Sequence, residues 1–274
     1  MRRSYEMRVV SLGDLVLDVV VRADRELARD ADTPARISVS AGGQGANVAA
    51  WVAELGGEAR WLGKRATDPA GRLAAELLAH HAVELCGPLE PERNGVVVSL
   101  AQRDGARSMF PDRGVAVDLR PDEVRPQWLD CDHLHVSGYA LLAEPVSSAA
   151  RRAVELARAA GARVSVDLSS WSTIEAAGAS TFRELVEALR PDVVFANEDE
   201  ERVFGGPLAG ATWILKRGAR GCSFDGDERP ALPVDRVLDT TGAGDALAAG
   251  YLVGGPTVAL EAAARCVARL GSMP

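Results

Sequence analysis

The chain has 274 residues, 47% of them apolar, and a net charge of −8 from 31 basic and 39 acidic side chains. That length can bury a sizeable core in one large α/β domain or two small ones. An acidic chain without basic clusters is a poor partner for nucleic acid or an anionic membrane surface, and no run of 18 apolar residues reads as a membrane span.

Met1-Arg2-Arg3-Ser4-Tyr5-Glu6 runs into a strand, not into the apolar core of a signal peptide. Arg8–Leu12 reads as a buried strand that Gly13-Asp14 breaks. Leu15–Val21 resumes an apolar, β-branched run with Asp18 in its middle. A carboxylate there is costly to bury unless something pairs with it. Two readings follow: a bound polyol donating hydroxyls to Asp18, or Asp18 on the solvent face of an edge strand. Arg36–Ser40 alternates as a half-exposed strand and can pair with Val16–Val21 as a small sheet.

Ala41-Gly42-Gly43-Gln44-Gly45-Ala46-Asn47 then opens an amphipathic helix, Val48–Leu55, stopped by Gly56-Gly57. A dinucleotide fingerprint would need an acid at the end of the next strand. Arg60-Trp61-Leu62-Gly63-Lys64-Arg65 has none. A glycine loop carrying Gln44 and Asn47 suits hydroxyl recognition better than pyrophosphate. Leu73–His81 is helical, and Asn94–Leu100 and Ser108–Phe110 flank the hairpin signal Arg103-Asp104-Gly105.

From about Leu129 the pattern becomes regular: strand His133–Val136, helix Pro145–Ala160, strand Arg163–Asp167, helix Ser180–Leu189, strand Val193–Ala196. That alternation predicts βαβ units on a parallel sheet. His80, His81, His133 and His135 show no ligand pattern and read as surface or satisfied core histidines. The four cysteines, Cys86, Cys131, Cys222 and Cys266, lie far apart with no metal-ligand spacing. Free buried thiols in a reducing cytoplasm are expected.

Asn197-Glu198-Asp199-Glu200-Glu201 falls at the C-terminal end of a predicted strand, where open α/β sheets place their ligands. Asn197 and Glu200 can face the same way and suit Mg²⁺ through water; an acid-rich helix start is the competing reading. Trp213–Lys216 is the next strand, and Arg217-Gly218-Ala219-Arg220-Gly221 after it reads either as a close approach to phosphates or as a hairpin turn into Cys222-Ser223-Phe224. Asp239-Thr240-Thr241-Gly242-Ala243-Gly244-Asp245 precedes the apolar run Ala246–Leu252, and a last helix is expected over Val258–Leu270. Small residues leading into a helix make an anion site. A carboxylate beside a bound anion is repelled, so Asp245 makes sense as the base that takes a proton from an attacking hydroxyl. The plainer reading is a first-turn aspartate favouring the helix dipole.

Gly42–Asn47, Asn197–Glu200 and Asp239–Asp245 in this order resemble the ribokinase (PfkB) family of carbohydrate kinases, from Gly13 to about Gly271. The resemblance implies one three-layer α/β/α domain over residues 1–274 with a mostly parallel sheet and a small β lid from about 15–40 and 94–112. It implies Asp245 as general base and Gly242, Ala243 and Gly244 as the anion hole. Asp18, Gly42, Gly43 and Asn47 match the sugar-binding positions, and Asp14 at the strand break joins them as a candidate. Asn197 and Glu200 match the motif that organises Mg²⁺ and the phosphates of ATP. Lys216, Gly218 and Gly221 match the nucleotide-side loop. Asp239 and Thr241 would be counterparts of a K⁺ site, and relatives often dimerise through the lid.

Three departures stand out. Only about a dozen residues separate Glu200 from Trp213, where relatives fit a longer helix; the usual Gly-Asp appears as Arg65-Ala66-Thr67-Asp68; and Gln44 stands where several relatives carry lysine. Gln44 favours an unphosphorylated ribose- or fructose-like sugar, while Arg103, Arg107 and Arg113 on the lid keep a phosphosugar open. A nucleoside kinase of the same fold, and a non-catalytic sugar binder that has lost its nucleotide site, are the other readings.

Overall fold

A computed structural model describes residues 7–23, 25–101 and 107–274. β1 (Arg8–Leu12) leads through Gly13 to β2 (Val16–Ala23) and β3 (Ala35–Gly42), and α1 (Gln44–Glu54) returns the chain to β4 (Glu58–Leu62). After β5 (Arg65–Ala66) comes α2 (Pro69–Ala79), then β6 (Glu84–Cys86) and β7 (Leu89–Glu90). β8 (Asn94–Ala101) and β9 (Arg107–Gly114) follow. The regular half runs β10 (His133–Ser137), α3 (Val146–Ala159), β11 (Arg163–Asp167), α4 (Trp171–Ala177), α5 (Ala179–Leu189), β12 (Val193–Asn197), α6 (Glu198–Phe204) and β13 (Thr212–Lys216). β14 (Cys222–Phe224), β15 (Asp227–Arg229) and α7 (Ala243–Val267) close the chain.

The main sheet has the order β15-β14-β13-β12-β11-β10-β1-β4-β6, parallel from β6 to β13 and antiparallel in the last two pairs. Its strands alternate between two cores. Leu134, Val136, Val194 and Ala196 face α3, α4, α5 and α6; Val9, Val193 and Phe195 face α1, α2 and α7. Burial on both faces is why these strands read as unbroken apolar runs. Trp51 and Trp61 are fully buried, and each finds an acceptor for its indole N–H: the Ser272 carbonyl at 2.9 Å and the Gly13 carbonyl at 3.0 Å. Truncating either to alanine is expected to cost about 3–5 kcal/mol.

β3, β2, β8 and β9 form a separate four-stranded sheet, the lid, slightly longer at both hairpins than the sequence predicts. β2 lies inside it, between β3 and β8, so the edge-strand reading of Asp18 does not hold. β8 and β9 pair as the predicted hairpin, and its turn, Arg103-Asp104-Gly105, lies outside the described residues.

Helix boundaries shift for identifiable reasons. α2 begins at Pro69 because the Asp68 carboxylate accepts the Gly71 N–H at 2.8 Å, so the departure at Arg65–Asp68 ends in a helix cap. α7 breaks at Gly254-Gly255, and Pro256 starts its second half, which ends at Val267 and not at Leu270. By length and apolar composition α7 could cross a membrane, but most of it is buried inside the fold, where it packs on α1. His133 and His135 are buried in β10; His135 Nδ1 lies 2.9 Å from Ser165 Oγ, yet Nε2 of both rings has no partner among the described residues. They are core histidines only partly satisfied, and loss of hydration pushes them down to about 3 and about 4, so both are neutral.

Candidate active site

The C-terminal ends of β1, β10, β11, β12 and β13 all point to one edge of the sheet, and the starts of α1 and α7 face that edge from the same side. α7 starts at Ala243 after Gly242, whose φ of +78° suits glycine; a Cβ there would sit 2.6 Å from the Ser272 Cα. Asp245 therefore stands in the first turn of α7. Its Oδ2 accepts a hydrogen bond from Asn47 Nδ2 at 2.7 Å, and Asn47 Oδ1 accepts one from Ser272 Oγ at 3.0 Å. Asn47, matched to sugar binding, thus also orients Asp245.

Burial pushes the Asp245 carboxyl up to about 7; the nearby charge of Asp167 adds to this, while hydrogen bonds from Asn47 and Gln44 and the charge of Lys216 oppose it. A carboxylate poised near neutral pH is suited to taking and releasing a proton. Gln44 Oε1 in turn accepts from the hydroxyls of Ser137 and Ser169, which fixes the start of α1 against β10.

On the lid side, Asp18 is half-buried in β2, and Gly42 lets the glycine loop pass against it: a Cβ on Gly42 would lie 2.0 Å from Asp18 Oδ2. Gly43 has φ +96°, and a Cβ there would meet the Asp14 carbonyl oxygen at 2.3 Å. Asp14 is buried and receives both arms of Arg113, Nε at 2.6 Å and Nη2 at 2.8 Å. The bidentate pair ties the end of the lid to the end of β1.

On the other side, Asn197 and Glu200 close a reciprocal cap at the start of α6. The Asn197 backbone N–H and side-chain amide donate to Glu200 at 2.7 Å each, and the Glu200 N–H donates to Asn197 Oδ1 at 2.9 Å. The helix-start reading of this motif holds, and the cap keeps a buried carboxylate at the strand ends. Glu200 titrates above its ordinary value because burial outweighs the pull of Lys216. The short 205–211 connection is anchored by Phe204, which packs edge-on against Phe182 and at a tilt against Trp213, and by the Trp213 indole donating to Glu201 at 2.8 Å.

Lys216 Nζ donates to Asp167 Oδ2 at 2.7 Å. A Cβ on Gly244 would lie 3.3 Å from that ammonium, so Lys216 reaches the glycine loop itself. Burial works against its charge, but Asp167 and Glu200 more than compensate and raise its pKa. Gly218 and Gly221, at φ +55° and +102°, make the hairpin turn between β13 and β14. Asp167 is the residue that the sequence reading missed. Its signal was available: it ends a predicted strand, as Asn197 does.

Among the described residues no group of three acidic, histidine or cysteine side chains forms a metal cage. Asp167, Glu200 and Asp245 all act on Lys216, however, and oxygen donors of this kind with Asn197 beside them suit Mg²⁺ held mainly by phosphates and water. The glycine loop, with the Lys216 ammonium close against Gly244, suits the phosphates of ATP.

A glycine-rich helix start with a buried carboxylate, Asp245, in its first turn suits phosphoryl transfer. The pfkB family carbohydrate kinase profile matches residues 7–273. A probable fructokinase-4 of Arabidopsis thaliana is 30% identical, over 89% of this chain and 81% of its own. An ATP-dependent ribose-1-phosphate kinase of Halopiger xanaduensis is 31% identical, over 90% of this chain and 84% of its own. A putative ribokinase II from E. coli, solved with ATP and Mg²⁺, superposes with a TM-score of 0.82 at 22% identity, covering 97% of this chain and 94% of the other. The chain belongs to the pfkB family of carbohydrate kinases, with its three-layer α/β/α fold. It is a sugar kinase of that ATP-dependent family.

Proposed function

We propose that this kinase transfers the γ-phosphoryl group of MgATP to a hydroxyl of an unphosphorylated ribose- or fructose-like sugar, with Asp245 as general base. The observation that carries the reading is Asp245 itself: a carboxylate raised to about 7, aligned by Asn47, at the mouth of the 242–244 loop. Asp18, Asp14, the backbone of Gly42 and Gly43, and Asn47 hold the sugar's hydroxyls. The N–H groups of Gly242, Ala243 and Gly244 take the charge that spreads over the transferred phosphoryl oxygens. Lys216 lies against the same charge, Asn197 and Glu200 would hold Mg²⁺, and the Gly218–Gly221 turn would meet the nucleotide. Mg²⁺, when bound, neutralises phosphate charge.

A neutral sugar is favoured because two lid cations among the described residues, Arg113 and Arg22, already have acid partners. Arg113 is paired with Asp14, and Arg22 lies 3.7 Å from Asp239. Arg103 and the side chain of Arg107 lie outside the described residues. Trp51 is buried in the core and offers no slot for a nucleobase.

The lid also supports a homodimer. Val39, Val19, Val98 and Phe110 stand in register across all four strands, on the face opposite Asp18, with Val39 48% and Phe110 60% exposed. Light scattering that finds only monomer would remove this part of the reading. The four free, buried thiols suit a reducing compartment and support a cytoplasmic location.

The test is ADP release with MgATP across ribose, fructose, 2-keto-3-deoxygluconate, nucleosides and sugar phosphates. Turnover confined to the free sugars is expected. Turnover confined to phosphosugars or nucleosides would overturn the substrate class, and failure to bind ATP would leave a sugar-binding protein.

A further inference from the structure

The residues that the family resemblance nominates for a monovalent cation, Asp239 and Thr241, are arranged around a different charge. Asp239 Oδ1 accepts the Thr241 N–H at 3.0 Å and the Thr241 hydroxyl at 2.6 Å. Asp239 Oδ2 accepts the Gly271 N–H at 3.2 Å and lies 3.7 Å from Arg22 Nη2. An ionised carboxylate has about four acceptor positions; Thr241 and Gly271 donate three hydrogen bonds to this one, and Arg22 adds an ion pair at longer range. A bare K⁺ binds through oxygen lone pairs; here it would sit against N–H and O–H groups and a guanidinium. The donor set does not fit the ion unless Arg22 withdraws.

The geometry also explains why the guanidinium is there. The Asp239 side chain is 6% exposed, and a buried carboxylate is expensive without compensating charge. Arg22 comes from β2 of the lid with its side chain 40% exposed, so it reaches the buried acid from solvent and adds a full positive charge. Asp239 in turn holds Thr241, the residue before Gly242. One ion pair thus links the lid to the loop from which the anion hole is built.

We propose that Arg22 supplies from the lid the positive charge at Asp239 that a cation-activated enzyme takes from K⁺, so that neither the fold nor the turnover of this chain calls on K⁺. Only the turnover part rests on the kinase reading.

The experiment compares thermal unfolding and ADP release of the full chain in KCl and in N-methylglucamine chloride, at equal ionic strength so that screening is constant. Wild type is expected to melt within about 1 °C in the two salts and to turn over within about twofold. Arg22→Gln is expected to melt lower in N-methylglucamine and to recover about 2–4 °C in KCl, as K⁺ enters the position that the guanidinium leaves. Arg22→Gln/Asp239→Asn should lose that recovery. Wild-type melting or turnover that rises saturably with K⁺ would overturn the assignment. So would an Arg22→Gln protein that matches wild type in both salts, or a K⁺ response that survives in the double variant. If no sugar turns over while the melting pattern appears as expected, the proposed substrate class fails and the Arg22 assignment stands for the fold alone.

Discussion

The two halves of the site are held in different ways. On the side proposed for the nucleotide the polar groups satisfy one another inside the fold: Lys216 with Asp167, and Asn197 with Glu200, carried by the ends of β11, β12 and β13 and the first turn of α6. On the sugar side the acids Asp14 and Asp18 stand at the base of the lid and within it, and Arg113 reaches Asp14 from 99 residues away. The first half is set by the rigid sheet, whereas the second is complete only when the lid lies on it. ATP should therefore meet a preformed surface, and the sugar should meet one that closes. Asp245 lies where the halves join, touched by Asn47 of α1 and by the charges of Asp167 and Lys216.

The comparison can be broken at that join. Asp245→Asn is expected to lower kcat by about 10²–10⁴-fold or more while sugar and nucleotide affinities, read by calorimetry, stay near wild type. Each half can then be weakened separately. Lys216→Met should weaken MgATP by about 10- to 100-fold with little change in sugar affinity. Gly42→Ala should do the reverse, raising the sugar KM about tenfold, because the added Cβ would lie 2.0 Å from the Asp18 carboxylate. Equal losses of both ligands in either variant would contradict a site in two separately held halves.

The smallest expected effect is on stability. Asp245 is raised from 3.8 to about 7. Between those values the folded chain keeps a proton that the unfolded chain has released, so stability falls as pH rises through the window. Asp245→Asn should therefore melt above wild type at pH 8, and the gap should close as pH falls below about 4. A gap that does not vary with pH would deny the raised pKa.

What the sequence made legible follows from what the chemistry needs locally. The glycine loops at 42–45 and 242–244, the N-x-x-E pair and the βαβ rhythm are each written in a few adjacent residues, and the fold puts them where open α/β sheets bind ligands. Contacts made by topology were not legible. Asp167 and Lys216 are 49 residues apart, Asn47 and Asp245 are 198 apart, and nothing local says that they meet. Arg22 was equally hidden, one charge among several near the turn at 24–34. Asp18 stands between the two cases: its placement in an apolar run was plain, but only the order of strands in the lid shows that β2 is internal. The same strand-end rule that selects Asn197 also selects Asp167, which ends β11.

The most direct test of the central claim is kcat/KM for the best sugar as a function of pH from 5 to 9, with MgATP saturating. The rate is expected to climb tenfold per pH unit at the acid end and level off above a midpoint near 7, as the Asp245 carboxyl becomes available to take a proton. Asp245→Asn is expected to keep sugar binding but lose both the rate and this profile. A flat wild-type profile, or an Asp245→Asn enzyme that still turns over at the wild-type rate, would contradict the assignment of Asp245 as the base.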